Sequence, residues 1–406
     1  PVAAALGSCL VLWHRLRERS GPVDADWIFG SDTDQSDHGD TEHKAAPLRS
    51  KLPRRIGRFE VVGRLGRGGY GIVLLAVDPE LNRQVAVKVP SPEVLMNDEL
   101  QQQFLREGKA AAALNHPQIV TVHEAGQIGA LHYIASEYVA GGTLAEWLKR
   151  SKTPLDPSVA ARLIKALADA VQHAHGRGVL HRDIKPGNIL VDHAGGETVA
   201  AEDLPEAARL ADFGLASIGR AVPDTIAGSA AVGTPAYMSP EQAEGRSVDV
   251  DATSDVYALG VILYEFLVGA TPFKRGTRTA TLNAIRQDDF DSPQARGNTI
   301  PTDLEAICLK CLRRTQAERY PTASALADDL QRFIDGDPVS ARPQSRLEHV
   351  HRWCRRNPTI AALVSLVTLL FVVVAVGRSI AAMQLAQSRR QTLAHLAQEI
   401  RARDEA

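Results

Sequence analysis

HRDIKPGN at residues 181–188 and DFG at residues 212–214 are the most informative segments of this 406-residue chain. Their order and content arise by chance far less often than a glycine triplet does, so they carry more weight than any other pattern in the sequence. The sequence that follows them has apolar residues at helical spacing, as in DVYALGVILYEFLVG at residues 255–269. Both segments are therefore expected to belong to a largely helical body.

The chain upstream of these segments has a different pattern. Short runs rich in Val, Leu and Ile, broken by glycines, fill residues 56–90 and predict β-strands. A helical stretch follows at residues 98–115, and mostly helical spacing begins after Gly141 and Gly142. The sequence thus predicts a small sheet-rich lobe followed by a larger helical lobe.

Residues 66–73, GRGGYGIV, have the spacing G-x-G-x-x-G-x-V, in which missing side chains let backbone N–H groups approach phosphates closely. A dinucleotide-binding loop shares the three glycines, but there a helix follows, whereas here residues 72–78 are strand-like. A glycine-rich hairpin over a nucleotide fits better. Lys88, in VAVK among strand residues, could neutralise phosphate charge, and Glu107 in the next helix is the candidate carboxylate partner.

With these motifs the chain resembles the eukaryotic-type, or Hanks-type, serine/threonine protein kinase family over residues 56–335. The resemblance implies an α+β bilobal protein kinase fold, with a small β-rich N-lobe and a larger helical C-lobe. It also implies ATP and Mg²⁺ as cofactors, with Mn²⁺ as an alternative ion. The implied reaction transfers the γ-phosphate of ATP to Ser or Thr hydroxyls of protein substrates.

The resemblance also assigns roles to the residues of the two central motifs. Asp183 is expected to orient the substrate hydroxyl and accept its proton. Lys185 is expected to contact the γ-phosphate, and it resembles the lysine that distinguishes serine/threonine from tyrosine kinases. Asn188 and Asp212 are expected to hold the magnesium ions that bridge the phosphates.

The nucleotide is expected to lie between the glycine-rich hairpin and the segment YIASEYV at residues 133–139, which resembles the hinge between the lobes. Lys88, paired with Glu107, is expected to contact the α- and β-phosphates. Ser136 falls at the family's gatekeeper position, where a larger residue is usual, which predicts a back pocket open to adenine analogues with large N6 groups. The expected nucleotide-binding residues are Leu65, Gly66, Gly68, Gly71, Val73, Ala86, Lys88, Glu137, Val139, Asn188 and Asp212.

Residues 212–241 resemble an activation loop that closes on Ser-Pro-Glu. Arg182 precedes the expected catalytic Asp, and kinases of this kind are often switched on by a loop phosphate that pairs with this arginine. Thr225 and Ser229 are the favoured phosphorylation sites, while Thr234 is expected to contact the catalytic residues.

Three further features are expected to be structural. Glu241 should pair with Arg319, and Asp255 should brace the catalytic loop. Residues 193–208 are longer than the usual tight turn at this place. They are expected to form a surface excursion, which either contacts nothing or serves as a docking site.

The C-terminal part of the chain predicts a membrane anchor. Residues 359–377 contain no charged side chain and are long enough to cross the hydrocarbon core as a single transmembrane helix. A basic juxtamembrane linker, residues 336–358, precedes it and carries more arginine than the residues just after, which places the kinase domain in the cytoplasm. This order is similar to that of membrane-anchored bacterial kinases, so the inner membrane is the expected location. Residues 378–406 are expected to be an extracytoplasmic helical segment of a truncated chain.

Bulk composition limits the partners. The net charge of −2 gives no electrostatic case for a nucleic-acid partner, and four scattered cysteines do not form a disulfide framework, which suits a reducing compartment. Residues 1–55 include a Ser- and Asp-rich stretch and are expected to be a disordered N-terminal segment. Apolar positions at helical spacing after residue 378 make a second copy of the chain a candidate partner.

Two alternatives to a signalling enzyme remain open. One is a kinase-shaped binding module without turnover, whose usual sign is loss of the lysine, the base or the metal residues; Lys88, Asp183, Asn188 and Asp212 are all present. The other is a membrane receptor whose sensing part does the main work while the kinase only reports.

Overall fold

The computed structural model describes residues 52–68, 71–151, 154–193, 199–213, 235–296, 300–342 and 358–404. The N-terminal segment expected to be disordered lies outside this description up to residue 51. The chain divides after Arg342 into two units, which are considered separately below.

The N-terminal lobe is built on one antiparallel sheet with the strand order β1-β2-β3-β4-β6-β5. Alternate residues of the central strands point inward, and Leu74, Ala76, Val85 and Val87 are almost fully buried. This alternation is what a half-buried sheet requires. The strands are β1 Arg55–Ile56, β2 Phe59–Gly68, β3 Gly71–Asp78, β4 Arg83–Pro90, β5 Val122–Ile128 and β6 Leu131–Glu137.

Two helices connect β4 to β5, the short α1 at Pro92–Leu95 and the longer α2 at Asp98–Ala112. Asn97 caps α2, since its side chain accepts hydrogen bonds from the backbone N–H groups of Glu99 and Leu100 at 2.9 and 3.2 Å. Phe104 is buried against the sheet, which fixes the face of α2 that carries Glu107.

The C-terminal lobe is mainly helical, so the predicted order of a sheet-rich lobe before a helical lobe is confirmed. Its core surrounds α4 and α7, and α7 is buried along almost its whole length. A small sheet with the order β7-β8-β9 lies in this lobe. The elements are β7 Gly141–Thr143, α3 Leu144–Arg150, α4 Pro157–His175, β8 Ile189–Asp192, α5 Leu204–Ala207, β9 Ala208–Leu210, α6 Pro240–Ala243, α7 Ala252–Val268, α8 Arg278–Gln287, α9 Thr302–Cys311 and α10 Ala323–Asp335.

The excursion expected at residues 193–208 is only partly a surface feature. Residues 194–198 lie outside the described residues, but the part that follows packs into the C-lobe. The indole N–H of Trp147 donates a hydrogen bond to the Val199 carbonyl at 2.9 Å, and Leu204 is fully buried in the core. The alternative in which this segment contacts nothing is therefore wrong for its second half.

The compact unit extends beyond the kinase boundary expected at Asp335. Val339 is 3% exposed and belongs to the main core of the C-lobe. The backbone N–H groups of Ser340 and Ala341 donate to the Asp329 carboxylate at 2.6 and 2.9 Å. The first residues of the expected juxtamembrane linker are thus part of the folded lobe, which the structure describes as far as Arg342.

The second unit contains one long helix, α11, at Pro358–Asp404. Its part Ala362–Arg390 contains an 18-residue window with a mean hydropathy of 2.3 and is long and apolar enough to cross a membrane. The hydroxyls of Thr368 and Ser379 donate to backbone carbonyls one turn earlier, at 2.8 and 2.9 Å. Polar side chains satisfied within the helix are compatible with an apolar surrounding. The helix also continues past Gly377, as its residue spacing predicted.

Candidate active site

The loop after α4 brings three of the predicted catalytic residues together. Lys185 Nζ donates to Asp183 Oδ2 at 2.6 Å, and Asn188 Nδ2 donates to the same oxygen at 2.9 Å and to the Asp183 carbonyl at 2.8 Å. The loop closes with a 3₁₀ turn, Pro186–Asn188, which leads directly into β8. Asp183 is thereby held by a cation and an amide, which both bond to the same carboxylate oxygen.

Asp255, at the start of α7, holds this loop from behind, as expected. Its carboxylate accepts hydrogen bonds from the backbone N–H groups of His181 and Arg182 at 2.9 and 2.7 Å. Arg182 has a φ of 65°, which is uncommon for a non-glycine residue, so these bonds hold the backbone in a costly conformation. Burial alone would raise the pKa of Asp255, but a hydrogen bond from His175 at 2.8 Å helps to lower it below its usual value. The brace is therefore an ionised carboxylate.

Lys88 and Asp212, both predicted to act on the phosphates, lie next to each other. Strand β4 carries Lys88 opposite Val73, and Lys88 Nζ lies 2.7 Å from Asp212 Oδ2. Burial would raise the pKa of Asp212, but the nearby lysine ammonium holds it below its usual value, so the carboxylate is charged. Glu107 accepts a hydrogen bond from Gln103 Nε2 at 3.2 Å, and its pairing with Lys88 remains a prediction.

His181 links the two loops, a role that the motif alone did not reveal. Its Nε2 lies 3.0 Å from the Ala211 carbonyl, and its ring lies 4.6 Å from the ring of Phe213. Burial lowers the pKa of His181 below its usual value, which favours the neutral imidazole. A neutral ring can donate to the carbonyl next to Asp212, so the loop of Asp183 and the segment of Asp212 keep a defined spacing.

The expected glycine-rich hairpin is present between β2 and β3. Gly66 lies opposite Val73 and Gly68 lies opposite Gly71, which places the predicted residues on two adjacent strands. Gly71 has a φ of 144° and packs so closely on the Val89 carbonyl that a side chain would collide with it. Leu65, on β2, is 44% exposed.

The expected hinge begins at the end of β6. The N–H of Glu137 donates to the Thr121 carbonyl at 2.8 Å, and the contact of Glu137 and Val139 with adenine remains a prediction. Ala86 pairs with Ser136 in the sheet. Behind Ser136 is a cavity of about 60 Å³ whose lining includes Lys88, Gly108, Ser136, Asp212 and Phe213. The small side chain of Ser136 and the absence of a side chain at Gly108 on α2 leave this cavity open.

Most of the expected activation loop lies outside the described residues. Thr225, Ser229 and Thr234 all belong to this part that the structure does not describe. The closing end of the loop is described. Arg319 donates two hydrogen bonds to the Glu241 carboxylate, both at 2.9 Å, and both side chains are buried. The expected structural ion pair is therefore present. The buried Nε of Arg182 has no hydrogen-bond partner among the residues that the structure describes.

The comparison with known families agrees with this geometry. A family model described as protein kinase domain matches residues 59–330. The chain belongs to the protein kinase domain family.

Curated relatives of this kinase domain include kinases from bacteria. It is similar to the serine/threonine-protein kinase PknB of Mycobacterium tuberculosis, with 38% identity over 292 residues, which cover 70% of this chain and 44% of PknB. It is also similar to the serine/threonine-protein kinase PrkC of Bacillus subtilis, with 34% identity over 294 residues, which cover 72% of this chain and 43% of PrkC. The matching region thus spans less than half the length of these curated relatives.

Solved structures resemble the same region. A crystal structure of a double mutant of the Mycobacterium tuberculosis PknI kinase domain aligns with a TM-score of 0.54 and 26% identity, covering 68% of this chain and 96% of that one. Another crystal structure of that kinase domain aligns with a TM-score of 0.52 and 28% identity, covering 69% of this chain and 96% of the other. The kinase fold of two lobes is thus confirmed.

Kinase family membership implies ATP and a divalent metal, and the residues present fit both. Because Asn188 Nδ2 donates to Asp183, its carboxamide oxygen remains as a ligand atom. That oxygen and the charged carboxylate of Asp212 suit Mg²⁺, which takes few protein oxygens and completes its shell with phosphate oxygens and water. Within the described ranges there is no cluster of three or more His, Cys, Asp or Glu that could hold a metal.

Proposed function

We propose that this chain is a serine/threonine protein kinase that transfers the γ-phosphate of ATP to Ser or Thr hydroxyls of proteins. The observation that carries the proposal is the arrangement of Asp183, which is bonded to both Lys185 and Asn188, near the charged Lys88–Asp212 pair. A base, two cations and metal-binding oxygens are the groups that phosphoryl transfer needs, because its catalysis rests on positioning and charge stabilisation.

Each residue has one task in the proposed reaction. Asp183 accepts the proton of the substrate hydroxyl, and the bond from Asn188 keeps its carboxylate oriented. Lys185, already 2.6 Å from Asp183, can neutralise a γ-phosphate oxygen beside that carboxylate. Lys88 holds the α- and β-phosphates. Mg²⁺ held by Asn188 and Asp212 supplies charge neutralisation on the phosphates.

Regulation is proposed to use the loop after Asp212. The N–H of Arg182 is fixed by Asp255, and its buried Nε has no partner within the described ranges. A phosphate on Thr225 or Ser229 would supply acceptor oxygens and a charge for this guanidinium. We therefore propose autophosphorylation on one of these two hydroxyls as the switch.

The membrane part of the proposal rests on α11. Large apolar side chains between Ala362 and Arg390, such as Leu370 and Phe371, are exposed, and none of its most apolar 18-residue window is buried inside the protein. A helix of this length and composition suits a single span of the bacterial inner membrane, with the kinase domain in the cytoplasm. Protein substrates and a second copy of the chain are the proposed partners.

The test is transfer of labelled γ-phosphate from ATP by the full chain in detergent, followed by mapping of the labelled residues. Asp183→Asn removes the base, and Asp328→Asn, a change of an exposed aspartate on α10, is the matched control. Label on Ser or Thr in the parent and in Asp328→Asn, but not in Asp183→Asn, is the expected result. Bound nucleotide without any label in the parent would favour a binding module without turnover.

A further inference from the structure

Arg209, on β9, connects three segments that meet beside the hinge. Its NH1 donates to Glu137 Oε1 at 3.0 Å, and its NH2 donates to Asp192 Oδ2 at 3.3 Å. Glu137 is the last residue of β6, and Asp192 is the last residue of β8. One guanidinium therefore bonds the end of an N-lobe strand to the end of a C-lobe strand.

The backbone around this ion pair is fixed by hydrogen bonds. Leu210, next to Arg209, donates to the Gln118 carbonyl and accepts from the Val120 N–H, both at 2.8 Å. Glu137 donates to the Thr121 carbonyl, also at 2.8 Å. The segment 118–121 thus holds both β9 and the hinge, and Arg209 closes the remaining side of the ring with its side chain.

The ion pair between Arg209 and Asp192 joins the two ends of the inserted segment, residues 193–208. Residues 193–208 begin directly after Asp192 and end directly before Arg209, so the pair joins the two ends of the insertion. The insertion is anchored in addition by Trp147, which donates to Val199, and by the buried Leu204. A segment without an assigned role is therefore connected, through one arginine, to the hinge.

We infer that Arg209 is a positioning residue for ATP, which holds the hinge at Glu137 in the geometry that receives the adenine. This inference rests on the proposed function. The side chains of Arg209 and Glu137 are 27% and 32% exposed, so their bond is charged but partly screened. Loss of Arg209 removes the charged bond to the Glu137 side chain, while the backbone bond from Glu137 to Thr121 remains, so the end of β6 is held less firmly and ATP binding must order it further. The residues around Asp183 keep their own bonds, so the transfer step itself is unaffected.

The experiment compares full-chain variants in ATP titrations of kinase activity and in direct binding of a fluorescent ATP analogue. For Arg209→Gln we expect the KM for ATP and the Kd of the analogue to rise about threefold to tenfold, with kcat within about twofold of the parent. For Arg209→Lys we expect KM and Kd values between those of the parent and those of Arg209→Gln, since lysine keeps the charge but cannot bond to two carboxylates in the same geometry.

Arg246→Gln is the matched control, because Arg246 also binds two carboxylates, those of Glu244 and Asp249, at 2.6 and 2.9 Å. It lies on the exposed surface, and its loss should leave KM and Kd unchanged. Equal effects of Arg209→Gln and Arg246→Gln would overturn the inference. So would a loss of kcat at constant KM, because a residue that only positions ATP should change KM rather than kcat.

Glu137→Gln is the second variant, for the case in which Arg209→Gln does not fold. It keeps the hinge backbone and removes the charge that Arg209 binds, so it should raise KM and Kd by a similar factor. The double variant should show little further change, whereas fully additive effects would mean that the two residues act separately. A parent protein that neither binds nor uses ATP would instead remove the proposed function.

Discussion

Glu241 and Arg319 show how two single residues can stabilise the C-lobe. The two side chains are 1% and 3% exposed, and Ser254 donates a further hydrogen bond to the carboxylate at 2.5 Å. Burial alone would raise the pKa of Glu241, but the bonds from Arg319 and Ser254 lower it to about 2. The folded state therefore binds a proton at this site less readily than the unfolded chain does.

This difference predicts how stability depends on pH. Because the pKa of Glu241 is lower in the folded state, the stabilisation is complete above about pH 4.5 and is lost as pH falls toward 2. Glu241→Gln should lower the free energy of unfolding by about 3–5 kcal/mol at neutral pH, since it leaves Arg319 buried without a counter-charge. Urea titrations between pH 3 and pH 7 would measure the pH dependence of the parent and the loss of unfolding free energy in Glu241→Gln. Glu244→Gln, at an exposed neighbouring residue, is the control. A variant as pH-sensitive as the parent would contradict the assignment.

Ser136 predicts an unusual nucleotide preference. Its small side chain borders the cavity of about 60 Å³ behind the hinge. An ATP analogue with a small alkyl group on N6 should therefore be a substrate of the parent protein. Ser136→Met should fill the space and raise the KM for that analogue at least tenfold, while the KM for ATP changes by less than about threefold. Ser136→Ala is the control, and equal use of the analogue by all three proteins would exclude this pocket as the reason.

Motif residues could be predicted from the sequence, and the family resemblance also gave the Glu241–Arg319 pair, but partners that lie outside the motifs could not be predicted. The tight loop HRDIKPGN places Asp183, Lys185 and Asn188 within five positions, so local geometry alone brings them together. Arg209 and Glu137 are 72 positions apart, and nothing in the pattern of either segment indicates that they meet. Sequence patterns report a residue's own element, whereas such contacts depend on how two lobes pack.

Among the elements, strands and long helices were predictable because burial imposes a period on them. Helix α4 has Val159, Leu163, Ile164, Leu167 and Val171 on its buried side, which is the i, i+4 spacing of an amphipathic helix. The short α5 escaped prediction because its four residues are too few to show a period. The acidic and alanine-rich residues before it indicated a surface loop, while the burial of Leu204 depends on the groove that receives it.

Helix α10 leads to a prediction about where the folded lobe ends. The buried Asp329 accepts hydrogen bonds from Tyr320 Oη at 2.6 Å, from Ser340 Oγ at 2.9 Å, and from the N–H groups of Ser340 and Ala341. A protein that ends at Asp335 loses three of these donors and the buried Val339. The free energy of unfolding of this shorter protein should be lower than that of a protein ending at Arg342. The difference should be about 1–3 kcal/mol, the cost of one buried polar group without its partner.

Substitutions in the full chain separate this effect from that of truncation. Asp329→Asn should make the amides of Ser340 and Ala341 exchange hydrogen faster and should lower the melting temperature. Asp328→Asn changes an exposed neighbour by the same chemistry and should do neither. Unchanged exchange in Asp329→Asn would show that residues 339–342 are held by packing alone.

For the molecule as a whole, the order of its parts was predictable and their exact limits were not. A sheet-rich lobe, a helical lobe and a long apolar helix follow one another, as composition and periodicity indicated. The limits differ because hydrogen bonding, not hydropathy, determines them. The lobe continues to Arg342 through bonds to Asp329, and α11 continues to Asp404 because a helix does not need apolar residues to propagate.

The membrane anchor gives a prediction for the entire chain. Leu369 and Val373 lie near the middle of the apolar stretch and are 60% and 59% exposed on the helix surface. Arginine at both positions should cost about 5–7 kcal/mol in a bilayer centre, since each arginine costs about 2.5–3.5 kcal/mol there. The double variant Leu369→Arg/Val373→Arg should therefore leave the membrane pellet after an alkaline carbonate wash, whereas the parent should remain in it.

Two arginines placed farther along the same helix provide the control for this experiment. Gln384→Arg/Gln387→Arg adds the same charge outside the continuous apolar run, where arginine side chains can reach the polar headgroups. This variant should stay in the pellet. Both variants should keep the kinase activity of the parent in detergent, because the helix and the kinase domain belong to separate units. If the central arginines leave the protein in the pellet as well, α11 is not its anchor, and the membrane part of the proposed function fails while the catalytic part stands.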